Sequence, residues 1–267
     1  MTVALGIDVG ATKVAAGIVD ATDGVVRERR QLATAADGVR VLRDCVELAA
    51  EAWRPELDGI GIGICELVRP DGTLASGESV DWRELDVGAA FAPRGPVRLE
   101  SDVRAAAVAE ARFGSGRGHD SMLYVNAGSG VSHCLVLHGR PLVGARGNAI
   151  ATGAPLVEEV AGGLALARLT GEPSAREALG DAAHTAVVTR AASELGQTLA
   201  TLVNAVDPQI VVLGGGLFLD PGYRAIVVAA ARKLIYADET RSLPMEPAAL
   251  GAQAGVIGAG LAGAALT

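Results

Sequence analysis

Residues 6–20 read GIDVGATKVAAGIVD: two short apolar runs on either side of a turn that holds Asp8, Gly10, Ala11, Thr12 and Lys13. The pattern predicts a strand over Val3–Val9, a tight turn, a strand over Lys13–Val19, and a second turn at DATDG. Such a turn is either a plain surface hairpin or an anion cradle. A glycine-rich bend exposes backbone N–H groups, and no Cβ blocks the approach of phosphate oxygens. The same pattern returns at residues 122–139, MLYVNAGSGVSHCLVLHG. Laying the two together puts Asn126 on Asp8, Gly128 on Gly10 and Gly130 on Thr12. A supersecondary unit repeated half a chain apart argues for a duplicated domain.

The rest of the chain fits that plan. A helix is expected over Asp37–Trp53 and an apolar strand at GIGIGI from Gly59. PVRLES then leads into a helix from Asp102 to about Gly114. A long helix over Ala182–Asn204 feeds PQIVVLGGGL, a buried strand ending in Gly214, Gly215 and Gly216. Strands alternating with helices make an α/β protein.

Composition narrows the function. The 267 residues carry a net charge of −8, which argues against a polyanion such as nucleic acid as partner. Lysine occurs only at Lys13 and Lys233, so its presence in the first turn stands out. Cys45, Cys65 and Cys134 form no metal or disulfide spacing, which points to a reduced, cytoplasmic setting. No signal peptide is read, and no apolar run reaches the ~20 residues that span a bilayer. The glycine-rich end, GVIGAGLAGAAL, reads as a packed helix. Neither turn matches GxxxxGK[ST] or GxGxxG. Two glycine turns and a third glycine cluster nevertheless favour nucleotide binding. Asp8, at the end of the first strand, is placed to hold Mg²⁺ directly or through water.

These residues resemble the ROK family (repressor, open reading frame, kinase), the sugar-kinase branch of the actin-like ATPases. GIDVGATKVAAGIVD resembles its first phosphate motif, NAGSGVSHCLV its second, and VDPQIVVLGGGL the approach to its adenosine site. ESDVRAAAVAEARFGSGRG is similar to the family's NDANAAALAEARFGAGRG. The resemblance implies two actin-like, ribonuclease H-like domains with an inter-domain cleft. The first would span residues 1–110, with the C-terminal helix 253–267 packed back on it, and the second residues 111–252. ATP would meet Asp8, Gly10, Ala11, Thr12, Lys13, Gly128, Ser129, Gly130, Gly214, Gly215 and Gly216. Asp102 falls on the family's catalytic aspartate. Read alone, an Asp at a helix start is as naturally an N-cap. A homodimer is expected on the same ground.

The acceptor-binding residues depart from the family. Its GANGNAGEIGH becomes GARGNAIATGA, keeping Asn148 but placing Ala151 and Ala154 at the Glu and His positions. The cysteine-bearing zinc loop is missing, so no zinc is expected. Glu158 is retained, Ser101 and Arg104 replace asparagines, and CELV introduces Glu66. Sites built around substrate hydroxyls discriminate by ~10⁴ or more, so glucose is an unfavourable acceptor. The expectation is an ATP-dependent kinase of another sugar-like polyol: a cyclitol, a C7-cyclitol phosphate or an amino sugar. Ser101, Asn148 and Glu158 would bind it, with Glu66 and Glu158 suited to an amine and Arg104 to a phosphate. The rival is a degenerate member that binds sugar or nucleotide as a sensor without transfer.

Overall fold

The computed structural model describes residues 2–34, 37–152 and 156–265. The chain folds into two compact units. One comprises Met1–Gly114, Pro141–Ala149 and Ala252–Thr267, the other Ser115–Arg140 and Ile150–Gly251. Relative to the sequence expectation, the first unit runs on past 110 because the helix there continues to Phe113. It also takes in the short segment 141–149, which the sequence reading had assigned to the second.

The first unit is built on strands β1 (Val3–Val9), β2 (Lys13–Asp20), β3 (Val26–Ala33), β4 (Ile60–Ile64) and β5 (Val97–Ser101), in the order β3-β2-β1-β4-β5. Its helices are α1 (Gly38–Ala52), α2 (Val87–Phe91) and α3 (Asp102–Phe113). Asp37 caps α1 by accepting from the Val39 and Arg40 amides, and Val41, Cys45, Leu48, Ala49 and Ala52 form its buried stripe. β3 was not foreseen. Its sequence, VRERRQLA, is almost wholly exposed, as suits a charged edge strand, and so carries no apolar alternation to read.

The second unit repeats the plan. Strands β6 (Ser121–Ala127), β7 (Val131–Leu137), β8 (Arg140–Pro141), β9 (Ile210–Gly214) and β10 (Met245–Pro247) lie in the order β10-β9-β6-β7-β8. Read from the hairpin edge, 3-2-1-4-5 becomes 8-7-6-9-10. The duplication holds residue by residue: Asp8 pairs with Gly63 of β4, and Asn126 pairs with Gly214 of β9. Its helices are α4 (Glu158–Ala161), α5 (Gly163–Thr170), α6 (Ala175–Gly180), α7 (Thr185–Val206), α8 (Pro221–Leu234) and α9 (Asp238–Arg241). Each unit has its own aliphatic core. One centres on Ile7, Ile60, Ile62 and Ile64, the other on Leu123, Leu195, Leu199 and Leu213. Two five-stranded sheets of one topology make the actin-like, ribonuclease H-like fold.

The chain ends in α10 (Ala254–Ala264), which packs on β1, β4 and α3 of the first unit. The approach is closer than side chains permit. A Cβ on Gly61 would fall 1.7 Å from the Ala259 carbonyl oxygen, and one on Gly6 2.1 Å from that of Val256. Gly6 of β1 and Gly61 of β4 form the groove in which α10 lies. No helix among the described residues is long and apolar enough to cross a membrane.

Candidate active site

In an open α/β sheet, ligands bind beyond the carboxyl ends of parallel strands. In the first unit β1, β4 and β5 run parallel and deliver Asp8, Cys65–Glu66 and Ser101–Asp102 to that end. Gly63 marks where they converge. A Cβ there would lie 3.7 Å from both the Asp8 Oδ1 and the Asp102 Cα. Asp8 is backed by α10, since a Cβ on Gly255 would fall 2.4 Å from its carboxylate carbon. Asp102 opens α3, and its Oδ1 accepts from the Val103 amide at 2.7 Å. Ser101 is the N-cap by position but makes no side-chain cap, and its buried hydroxyl has no hydrogen-bond partner among the described residues.

The two carboxylates are electrostatically matched. Burial pushes Asp8 up to about 6, against the pull of Lys13 and Arg29. Burial, then the neighbouring charge of Asp8, push Asp102 up to about 7, with Glu66 adding to the rise and the Val103 N–H opposing it. A carboxyl poised near neutrality can take a proton and later release it. The Cys65 thiol, pushed up to about 12 chiefly by burial, stays protonated.

The first turn follows directly from β1. Ala11 and Thr12 are exposed, and Gly10 and Lys13 are half-buried. The second turn, Gly128–Gly130, follows β6 in the equivalent place. Gly10 and Gly128 are informative because the fold does not demand glycine at either. An added Cβ would meet nothing nearer than the Lys13 carbonyl oxygen at 3.4 Å in the first and the Asn126 side chain at 3.7 Å in the second. Neither has a positive φ. Both leave open space where a ligand could approach the backbone.

The third cluster divides differently. Gly214 and Gly215 are required by packing: added Cβ atoms would fall 2.1 Å from the Tyr124 hydroxyl and 2.4 Å from the Ala127 carbonyl oxygen. These contacts bring the cluster against the end of β6, beside the second turn. Gly216 is exposed, with nothing within 4 Å of a Cβ. In the second unit, then, residues 214 and 215 pack against β6 at Tyr124 and Ala127, and residues 128–130 follow that strand directly.

Two acceptor residues must be reassigned. Arg104 is 1% exposed and does not present a guanidinium for a phosphate. It donates through Nε to Glu100 at 2.6 Å, through Nη1 to the Gly147 carbonyl at 3.1 Å, and through Nη2 to the Val68 carbonyl at 2.7 Å. Glu66 is likewise buried and committed. One oxygen accepts from the Ser76 hydroxyl and Glu78 amide, the other from the Ser79 and Val80 amides. Glu66 shapes the 66–80 loop, and Arg104 stitches that loop to the 141–149 segment. Between those stretches lies an open cavity of about 440 Å³, lined by Arg69, Asp71, Arg146 and Asn148 among others. Asn148 is exposed there.

In the second unit Glu158 accepts from the Val131 amide at 3.3 Å, so it sits on the second turn. Ala151 is exposed. Ala154 lies outside the described residues. Sequence reasoning missed Thr34 and Gly163, which bond to the backbone of the two turns, and Gly255, which backs the Asp8 carboxylate. Their only signal was glycine or threonine in otherwise ordinary stretches.

A family model described as ROK matches residues 4–263. An N-acetylmannosamine kinase of Yersinia pseudotuberculosis is 30% identical, with 96% of this chain and 97% of that protein aligned. Among solved structures, a ROK hexokinase from Thermus thermophilus is 30% identical, covers 98% of both chains and superposes with a TM-score of 0.79. A ROK glucokinase from Streptomyces griseus, solved with glucose and AMPPNP, shares the fold at a TM-score of 0.84 and 24% identity, over 97% of this chain and 98% of its own. With its motifs in order along nearly the whole length, the chain is a member of the ROK family.

Proposed function

We propose that the protein is an ATP-dependent sugar kinase, transferring the γ-phosphoryl group to a hydroxyl of a sugar-like polyol, with Asp102 as general base. The observation that carries this reading is the Asp102 carboxyl at the carboxyl edge of β5, raised to about 7 beside Asp8 and the first glycine turn. Asp102 accepts the proton of the acceptor hydroxyl as its oxygen bonds to the γ-phosphorus. The bond from that phosphorus to the bridging oxygen breaks, and ADP leaves.

Asp8 fits a divalent cation chemically: it is a desolvated carboxylate whose charge repels a neighbouring one, and added positive charge relieves both. Magnesium held there, directly or through water, would neutralise charge on the transferring phosphoryl group. Zinc has no part in this reading. The relatives named N-acetylmannosamine kinase make an amino sugar the leading acceptor class, ahead of a cyclitol. A phosphorylated cyclitol loses support with Arg104 withdrawn. Ser101, Asn148 and Glu158 remain the acceptor contacts of this reading, the homodimer its assembly and the cytoplasm its location.

The test is ADP formation over a panel of hexoses, amino sugars and cyclitols, with wild type beside Asp102→Asn. A kinase loses ~10²–10⁴-fold in turnover on that change yet binds nucleotide as before. Equal ADP formation by both proteins would remove the base from the mechanism. Glucose turnover above that of every amino sugar and cyclitol would overturn the acceptor assignment.

A further inference from the structure

Both glycine turns are held from behind, by different devices that do the same thing. In the second turn the Gly128 carbonyl accepts from the Gly163 amide at 2.8 Å, and the Ser129 carbonyl accepts from the Leu164 amide at 3.0 Å. These donors are the first two amides of α5, which lacks a side-chain cap and uses the turn instead. A trans peptide is planar, so its N–H points opposite to its C=O. Pinning the carbonyls of 128 and 129 toward α5 therefore aims the amides of Ser129 and Gly130 away from it, side by side. Neither amide has a hydrogen-bond acceptor among the described residues. Gly163 has no room for more, since a Cβ would fall 2.6 Å from the Gly128 carbonyl oxygen.

The first turn has Thr34 in this role. Its hydroxyl donates to the Gly10 carbonyl at 2.7 Å, and its amide donates to the Thr12 carbonyl at 3.1 Å. The peptide that joins Gly10 to Ala11 is thereby fixed with the Ala11 N–H facing the other way. We propose that Thr34 and Gly163 are positioning residues for phosphate binding: each locks the carbonyls of its own turn on one side so that the amides of that turn are presented to phosphate oxygens on the other. The proposal rests on the nucleotide reading of the turns.

The experiment measures steady-state kinetics, Mg·ATP binding by calorimetry and amide hydrogen exchange on the full chain. It compares wild type with Thr34→Val, Thr34→Ser and Gly163→Ala. Losing the Thr34 hydroxyl bond in Thr34→Val raises the KM and Kd for ATP about five-fold, leaves the acceptor KM as it was, and speeds exchange over residues 8–13. Thr34→Ser restores all of these. Gly163→Ala weakens ATP in the same way and speeds exchange over residues 127–131. An unchanged ATP constant in Thr34→Val, or a serine variant no better than valine, overturns the proposal. Exchange needs no turnover, so wild-type protection at 8–13 in Thr34→Val overturns it whatever the protein catalyses. A wild type that forms no ADP while the exchange difference appears sinks the kinase reading alone.

Discussion

Gly255 and Asp8 are in such close register that any β-carbon at 255 would sit 2.4 Å from the aspartate's carboxylate carbon. The position of a metal-binding candidate in the first strand is therefore set by a missing side chain in the last helix. Gly255→Ala must displace the carboxylate or the helix. Misplacing a reacting group by about 1 Å costs about 10²-fold in rate. The expected outcome is a loss of that order in kcat/KM, with a raised magnesium requirement in a titration of activity. Wild-type magnesium dependence would refute the coupling.

The pH–rate profile carries the signature of the carboxyl pair. Asp102, raised to about 7, must be ionised to accept a proton, so kcat/KM climbs with pH through the range 6–7 and then levels. Asp8 contributes to that rise, so Asp8→Asn moves the Asp102 midpoint downward. Carboxyl titration by NMR checks the second point in a variant of low activity. A profile flat down to pH 5 would contradict both.

The same shift costs folding stability. Between the ordinary value of 3.8 and about 7, the unfolded chain ionises at Asp102 while the folded protein keeps its proton. The folded state thus binds more protons over that window, and its stability falls as pH rises through it. Asp102→Asn lifts the penalty. Its Tm should exceed wild type at pH 8 by several degrees, at about 2–4 °C per kcal/mol relieved, and by little at pH 4. Thermal melts at the two pH values decide this, and a variant less stable at pH 8 than wild type would reverse the sign.

Arg104 is a structural tie rather than a ligand, and the difference is measurable. Arg104→Met leaves Glu100, 16% exposed in its side chain, with the Ser101 amide but no cation, and frees two buried carbonyls. Breaking one half of a buried pair costs about 3–5 kcal/mol. Urea denaturation should show that loss. Arg104→Lys should recover little, because one ammonium cannot serve three acceptors set around a planar guanidinium. A stable methionine variant with a weakened acceptor KM would return Arg104 to the substrate.

Tight helix–strand packing gives a further check. Gly61→Ala places a methyl 1.7 Å from the Ala259 carbonyl oxygen, which backbone cannot yield cheaply. Overpacking costs about 1–3 kcal/mol, and here the upper end is expected in a denaturant melt. Gly72→Ala is a control of another kind: its Cβ meets nothing within 4 Å, but its φ of +84° strains an L residue.

The duplication was legible because the hairpins carry it locally. Apolar runs, a glycine turn and a second turn are all written within fifteen to eighteen residues, and the sheets then repeat strand for strand. Asp102 was legible as a helix start behind a strand. Glu66 and Arg104 were not, because a charge on a loop and a charge in a vacated ligand site look alike in sequence. Only the backbone groups of residues 68, 78–80 and 147 distinguish a buried tie from an exposed contact, and side-chain letters do not record backbone direction. Thr34 and Gly163 escaped for the same reason: each bonds to turn carbonyls whose direction the letters do not record.

The return of α10 to the first sheet also sets an order of events during synthesis. The groove between Gly6 and Gly61 stays unfilled until residues 254–264 leave the ribosome. By then the whole of the other unit has emerged and is free to fold by itself. The half of the molecule translated first is thus the half completed last, and a nascent chain stalled short of its final helix exposes an apolar trough for chaperones to cover.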